Sequence, residues 1–583
     1  MKLQESWRKI PIYTAILSTV VVVPALADPT NLPKLWIQCI GATLCLFFLI
    51  KNFSKSDFNS HKSLLMISGV FVIALIVAML AGNQSFYRSL IGAWGRNNGF
   101  IDTASLLILF LTVSLVKGKT NPTWFLDVLV KLGFFNAIYG IFQFLDADPI
   151  TWINQGNRII LTLGNSDFAS ALLAITSIAT FSKLLYFSQS KLRYLLISLS
   201  FTVQIFLIKE SDALQGLIIA ILSCAIILGI WLCYHIHPKF RYIAPLYLIS
   251  SGVVVTSILL GIFSIGPFSK FFSGSFFSLH DRYYHWLAAK NMVSSYPLFG
   301  VGLDAYGDYY RKFRLEEAIN LRGTASSSTN NAHNVFAQLG ATGGLILLIA
   351  YLLIIGFVIL RAFKVFKGES EDKLLIGTFF ALWFAYLTQS AVSIDKIGLA
   401  IWGWLSAGCI VGMSYSRDKE NRDKSLKKTT PKALELMKLT KKDFLLILII
   451  VLAPAIFLTS ALVNSFLLQT RISKIYSSRS VSEMQKNVTE LFNFSLDLKE
   501  PETRLTSVKV LIKSNDLDLA LKLSEQTAMK FPKSYSAWDQ VARIYEGTGR
   551  KELAIKSRKM TVELDPLNQE IQRLLLDDMR KSS

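Results

Sequence analysis

Apolar runs recur along this chain from residue 11 to residue 467. Each is near the ~20 residues that a helix needs to cross the hydrocarbon of a bilayer. They fall near 11–27, 35–50, 63–81, 101–116, 123–145, 168–186, 193–208, 214–234, 242–266, 336–360, 374–392, 397–415 and 443–467. The expected fold is all-α: a polytopic membrane protein of about 13 transmembrane helices, followed by a C-terminal helical repeat domain. Of the 583 residues, 52% are hydrophobic and 17% charged, against about 25% charged in a soluble protein. A net charge of +21 would suggest nucleic acid in a soluble chain. Here the basic residues sit largely in short loops between apolar runs, so they report topology, and no nucleic-acid partner is expected.

The basic residues have a side. With the N-terminus inside, inner segments hold Lys2, Arg8 and Lys9; Lys51, Lys55 and Lys62; Lys117 and Lys119; Lys183, Lys191 and Arg193; Lys239 and Arg241; and Arg361, Lys364, Lys367 and Lys373. The last inner loop, 416–442, is densely basic. The short outer loops hold Lys34, Arg88, Arg96, Arg158, Lys209 and Lys396. This bias places the N-terminus in the cytoplasm. The first run ends Ala25-Leu26-Ala27, as a signal peptide would, but a second run follows almost at once, so it reads as a first membrane helix. Cys39, Cys45, Cys224, Cys233 and Cys409 all lie in or at the ends of apolar runs and read as packing residues.

That topology divides the chain into a membrane domain, 1–467, and an extracytoplasmic tail, 468–583. It also sends the loop 267–335 outside. In the tail, Leu511 and Tyr545, Ala520 and Ala554, and Pro532 and Pro566 are each 34 residues apart. With Trp538, this period resembles the tetratricopeptide repeat, whose helical pairs must stack to bury their apolar faces. Two fair units are visible, with a degenerate candidate over 470–500. A plain helical bundle with chance spacing is the competing reading.

The outer side is depleted of cations, so those that remain there need a reason. Arg88, Arg96, Arg158, Lys209, Arg282 and His333 are all expected outside and close to helix ends. Singly, an interfacial cation reads as snorkelling. Grouped beside a histidine, they suit an anionic head group. His333 fits a general base, since an imidazole takes up a proton near neutral pH. Asn331 and Asn334 either orient it or cap the helix that follows. Arg282 and Trp286 stand i and i+4 on what reads as a surface helix. "PLFGVG" (297–302) reads as a turn whose glycines permit close backbone approach. His280 and His285 are five apart, a spacing that fits no helical ligand pair, so no metal site is expected. Asp127 and Lys131 read as a structural i,i+4 pair. Asp146 and Asp148 read as a loop triplet.

Taken in order, these stretches resemble one family. "R…W" leads to "PLFGVG" and then to "HN" at the start of a Gly-rich membrane helix. With "SLIGAWGRNNGFID" (89–102) and "LTLGNSDFASALLA" (161–174), this is similar to the O-antigen ligase and polymerase superfamily of bacterial membrane glycosyltransferases, over about 85–415. The resemblance implies a glycan on a polyprenyl pyrophosphate as donor, presented at the outer leaflet of the plasma (inner) membrane. It implies a hydroxyl-bearing acceptor (lipid, glycan or protein), and no metal, nucleotide or other cofactor. It makes His333 the candidate base and Arg282 a pyrophosphate clamp, with Arg96 a weaker one. The family often carries a Ser-Arg pair opening its eighth helix. Here Ser211 is followed by Asp212, and Lys209, two positions before Ser211, offers a point charge without arginine's fork. Arg88 and Asn334 complete the substrate-binding set.

Two other classes of function compete with glycan transfer. A small-anion transporter would need polar residues at membrane depth or paired broken helices. A non-catalytic scaffold of an envelope-polysaccharide system would need only the tail, which on any reading offers a concave face to a protein partner.

Overall fold

The computed structural model describes residues 9–52, 55–82, 86–115, 122–152, 159–186, 190–235, 277–366, 373–426, 441–493, 501–513 and 515–582. The expected helix over 242–266 and Arg158 lie outside these residues, as does most of the basic loop 416–442. Among the described residues the chain is helical throughout, with no strand. The helices are α1 (Ile10–Val20), α2 (Asn31–Asn52), α3 (Lys55–Ser60), α4 (Lys62–Ala81), α5 (Phe86–Ile91), α6 (Phe100–Leu115), α7 (Pro122–Phe144), α8 (Ser166–Tyr186), α9 (Lys191–Glu210) and α10 (Leu214–His235). They continue with α11 (Phe277–Ser295), α12 (Tyr306–Phe313), α13 (Glu316–Arg322), α14 (Val335–Phe366), α15 (Lys373–Val392), α16 (Ala400–Leu426) and α17 (Lys441–Tyr476). The tail holds α18 (Val481–Asn493), α19 (Pro501–Lys513), α20 (Leu517–Lys530), α21 (Tyr535–Gly547), α22 (Lys551–Leu564) and α23 (Gln569–Ser582).

Eight of these helices are long and apolar enough to cross a membrane: α2, α4, α7, α8, α9, α10, α14 and α15. Two more, α1 and α6, are apolar but shorter. This is an α-helical polytopic membrane protein, as composition led us to expect. One boundary differs. The first apolar run was expected to be helical to residue 27, but α1 ends at Val20. Pro24 interrupts the run, and proline disfavours helix at the residue before it. The freed Thr19 carbonyl accepts from Thr162 Oγ1 at 2.8 Å and from Lys34 Nζ.

The bundle closes on small residues and polar pairs, as helices do where lipid removes the hydrophobic drive between them. Helix α8 is the most enclosed and packs against α7, α9, α10 and α15. Gly216 lets α10 approach α8 so closely that a Cβ there would lie 2.5 Å from Ser170. On α16, Gly408 and Gly412 form a small-xxx-small face. A Cβ on either would come within 3.0 Å of the α6 carbonyls of Phe110 or Val113. Gln204 on α9 is fully buried and bonds Thr176 and Thr180 of α8. Asp127 pairs with Lys183 of α8 at 2.9 Å, so the i,i+4 partner expected at Lys131 is replaced by one across the bundle.

Helix α14 is broken. Gly344 stands at φ 73°, ψ 179°, which separates a short segment beginning at Val335 from the long apolar one. The backbone groups freed at the break are taken up by the turn over 297–302. Leu345 N–H donates to Pro297 O at 2.8 Å, Val301 N–H to Ala341 O at 2.9 Å and Gly302 N–H to Thr342 O at 3.0 Å. The close approach that the glycines of "PLFGVG" permit is therefore to this helix. A Cβ on Gly300 would sit 2.5 Å from the Thr342 carbonyl carbon.

Candidate functional site

His333 sits in the loop that enters the broken helix, and its backbone is left-handed at φ 52°. Such a conformation is strained for a side chain of this size and persists only where its surroundings hold it. Asn331 does the holding: its Oδ1 accepts from His333 N–H at 2.9 Å. Asn331 O lies 3.1 Å from His333 Nδ1. A carbonyl only accepts, so Nδ1 carries the proton and Nε2 carries the lone pair. Asn334 plays the capping role weighed for it. Its Oδ1 accepts from Ala337 N–H at 2.9 Å, and its Nδ2 donates to Ala391 O at 2.8 Å.

A second histidine faces the first. The rings of His285 and His333 are 5.1 Å apart between centroids. His285 is buried, and its Nδ1 has no hydrogen-bond partner among the described residues. Its Nε2 lies 3.5 Å from Asp281 Oδ2, and Arg322 forks onto the same carboxylate, with Nε–Oδ1 at 2.6 Å. Burial lowers His333 from the usual imidazole value to about 3, helped by the positive fields of His285, Arg282 and Arg96. Burial likewise lowers His285 to about 4, with Asp281 opposing. Both rings are neutral at pH 7. Among the described residues no three His, Cys, Asp or Glu side chains are grouped to hold a metal ion.

The expected cations divide. Arg282 is buried on α11 and ties four elements together. It donates to Asp167 Oδ2 at 2.7 Å, Gln215 Oε1 at 3.0 Å and Val392 O at 2.6 Å. Its Nε–H and one Nη2 hydrogen have no partner among the described residues. The Gly-Asn stretch explains why Asp167 is there. Gly164 turns left-handed, Asn165 Oδ1 accepts from Asp167 N–H at 2.8 Å, and α8 begins. Arg96 donates from Nε to Asn330 Oδ1 at 3.0 Å, three residues before His333. The loop that carries Arg96 is fixed by Asp304, whose Oδ2 accepts from Ala93 N–H at 2.7 Å. Arg88 is buried and pairs with Asp308 at 2.9 Å, which holds α12. Lys209 does not join them: its side chain is 77% exposed, 3.6 Å from Glu210. Asp212 is exposed in a left-handed turn, and Ser211 Oγ bonds back to Ile208 O.

Other side chains complete the surroundings. Lys396 is buried, donates to Asn31 Oδ1 at 2.6 Å and lies 5.4 Å from the centre of the Phe168 ring. Burial lowers it to about 8, with Asp28 opposing. A cavity beside the His333 loop is lined by apolar Leu75, Leu303, Val335 and Leu339 as well as by polar Asn98, Asp304, Asn331, Gln338 and Asp395. The pair Asp281 and His285 had a local signal in its i,i+4 spacing. Asp167 lay inside a stretch already marked. Arg322 had none, because its partner is 41 residues away.

Residues 213–352 match the family described as O-Antigen ligase. The matched span includes His333, Asn334, Arg282 and the 297–302 turn. No curated protein matches the chain.

Proposed function

We propose, from the O-antigen ligase domain at residues 213–352, that this chain is a membrane glycosyltransferase moving a glycan from polyprenyl pyrophosphate to an acceptor hydroxyl. The observation that carries the reading is the contact of His333 Nδ1 with Asn331 O. That nitrogen is committed to Asn331 O, which leaves a lone pair on Nε2 among cations. The acceptor hydroxyl gives its proton to Nε2 as its oxygen bonds to the anomeric carbon. The bond from that carbon to the pyrophosphate oxygen breaks, and polyprenyl pyrophosphate leaves with the electron pair. Arg96 and the uncommitted edge of Arg282 take the leaving group's charge. In the resting site the half-buried His333 is a weak base. An anionic pyrophosphate beside Arg96 and Arg282 cancels the positive field and strengthens that base once the donor has arrived. Arg88 and Asn334 hold the frame, and Lys209 lies off the site.

The charge bias supports placing this chemistry at the outer face of a bacterial plasma membrane, with the N-terminus inside and the tail outside. The tail suits a tetratricopeptide-like role in recruiting an acceptor or a protein partner. In support, the backbone repeats with the sequence period. Phe531 and Asp565, 34 residues apart, end their helices at φ −122°, ψ 68° and φ −138°, ψ 69°.

The test uses the protein in liposomes with a polyprenyl-pyrophosphate glycan and an acceptor mixture, following release of polyprenyl pyrophosphate. His333→Ala should lower release by roughly 100-fold or more. A chelator should leave it unchanged. Equal release from both proteins would remove His333 as base. No release from either, across several donors, would remove the transferase reading.

A further inference from the structure

The tail meets the loop that leads to His333 through a buried carboxylate. Asp565 is fully buried where α22 ends. It receives both Nη2 bonds of Arg314, at 2.6 and 2.9 Å, and Arg311 Nη1 at 2.9 Å. Asn568 Nδ2 adds a bond at 3.3 Å, and Arg311 also lies 4.3 Å from the centre of the Tyr535 ring. The same two guanidinium groups also donate from their Nη atoms onto the loop that leads to His333. Arg311 donates to Ala325 O at 3.0 Å and Ser326 O at 2.7 Å, and Arg314 to Ser327 O at 2.9 Å. Hydroxyls then carry the order forward. Ser326 N–H donates to Thr324 Oγ1, Thr329 Oγ1 bonds Asn331 O at 3.0 Å, and Asn331 holds His333. Gly307 on α12 lies under the same loop: a Cβ there would sit 2.9 Å from Asn330 Cα.

The repeat does not require this aspartate. At the equivalent position of the preceding unit stands Phe531, in the same backbone conformation and also before a proline. A carboxylate enclosed between two arginines is instead the group needed to fix two planar forks, so that their other edges meet three consecutive carbonyls.

We infer that Asp565 is a positioning residue for His333. It aligns Arg311 and Arg314, these hold the 324–329 loop, and the tail is thereby a working part of the site rather than an appended module. The catalytic half of this inference rests on the base role proposed above for His333. The mechanical half does not.

The experiment compares the full chain with Asp565→Asn, which keeps the shape and removes the charge. Hydrogen–deuterium exchange is read without substrate, and kcat and KM for the lipid-linked donor are read with it. In the variant, exchange should rise over 324–334, where the amides of Ser326, Asn331, Ala332 and His333 donate to side chains, while α21 and α22 stay protected. The kcat should fall roughly 10- to 100-fold at unchanged KM, the cost of a base held out of place. Unchanged loop exchange overturns the inference. A loosened loop with unchanged kcat overturns its link to His333. If the tail itself opens in Asp565→Asn, Arg314→Lys decides the matter, because it alters no tail residue. A loosened loop with α21 and α22 protected then supports the inference, and an unchanged loop overturns it. A loosened loop in a chain that never releases polyprenyl pyrophosphate, in natural or variant form, removes the proposed function and leaves the positioning role standing.

Discussion

At the residue scale the governing fact is that two imidazoles, His285 buried and His333 half-buried, share one positively biased place. Protonating either costs desolvation and repulsion by Arg282, so His333 lies at about 3 and His285 at about 4. An unfolded chain would hold both near 6.5. Between pH 6.5 and 4 the unfolded state therefore binds protons that the folded state does not, and stability falls as the pH falls through that window. At pH 5 the loss is up to about 2 kcal/mol for each histidine. The thermal midpoint in nanodiscs should thus decline from pH 7 to pH 5, and the decline should shrink in His285→Asn. The same pair sets the kinetics. The acid limb of kcat/KM, which reports the free enzyme, should lie below pH 5. A limb near 6.5 would mean that His333 is solvated and that the pair does not exist in the working protein.

At the element scale the central device is the joint between the 297–302 turn and the break in α14. The glycines of the break are not equivalent. A Cβ on Gly340 would meet only side-chain atoms, Val293 at 3.3 Å and Leu348 at 3.4 Å. A Cβ on Gly344 would meet the Leu298 carbonyl oxygen at 2.1 Å, at a φ that L residues rarely adopt. Gly344→Ala should therefore cost about 1–3 kcal/mol or more and displace the turn, while Gly340→Ala should be nearly silent. Thermal midpoints of the two variants, measured side by side, check this. The sequence announced both partners of the joint, a loosened helix start and a turn built for close approach. It could not announce that they meet, because periodicity carries no information about which distant backbone a turn will touch. Local signals served better where one residue decides, as Pro24 does in stopping α1. That stop was still obscured by the apolar run around it.

At the scale of the whole molecule, hydropathy and charge bias showed the bundle because lipid leaves the backbone few alternatives. The layer that carries His333 was harder to read, since side-chain bonds between residues far apart in sequence help to fix it, to the bundle and to the tail. Arg88 to Asp308 spans 220 residues, Arg282 to Asp167 spans 115, and Arg314 to Asp565 spans 251. No window of sequence contains both ends of any of them. Arg282 stands out in the sequence among the outer cations, and its half-buried partner Asp167 does not. This bears on its role, since a guanidinium bound to Asp167, Gln215 and Val392 O is a tie before it is a clamp. The two roles separate in a double-mutant cycle of Arg282→Lys and Asp167→Asn. If Arg282 acts only by tying layer to bundle, the double variant should lose no more kcat than Arg282→Lys alone, and KM for the lipid-linked donor should stay level throughout. If its uncommitted edge also holds pyrophosphate, Arg282→Lys should raise that KM and Asp167→Asn should not. We expect the second result, because the hydrogens left over by the tie are the ones an anion can use.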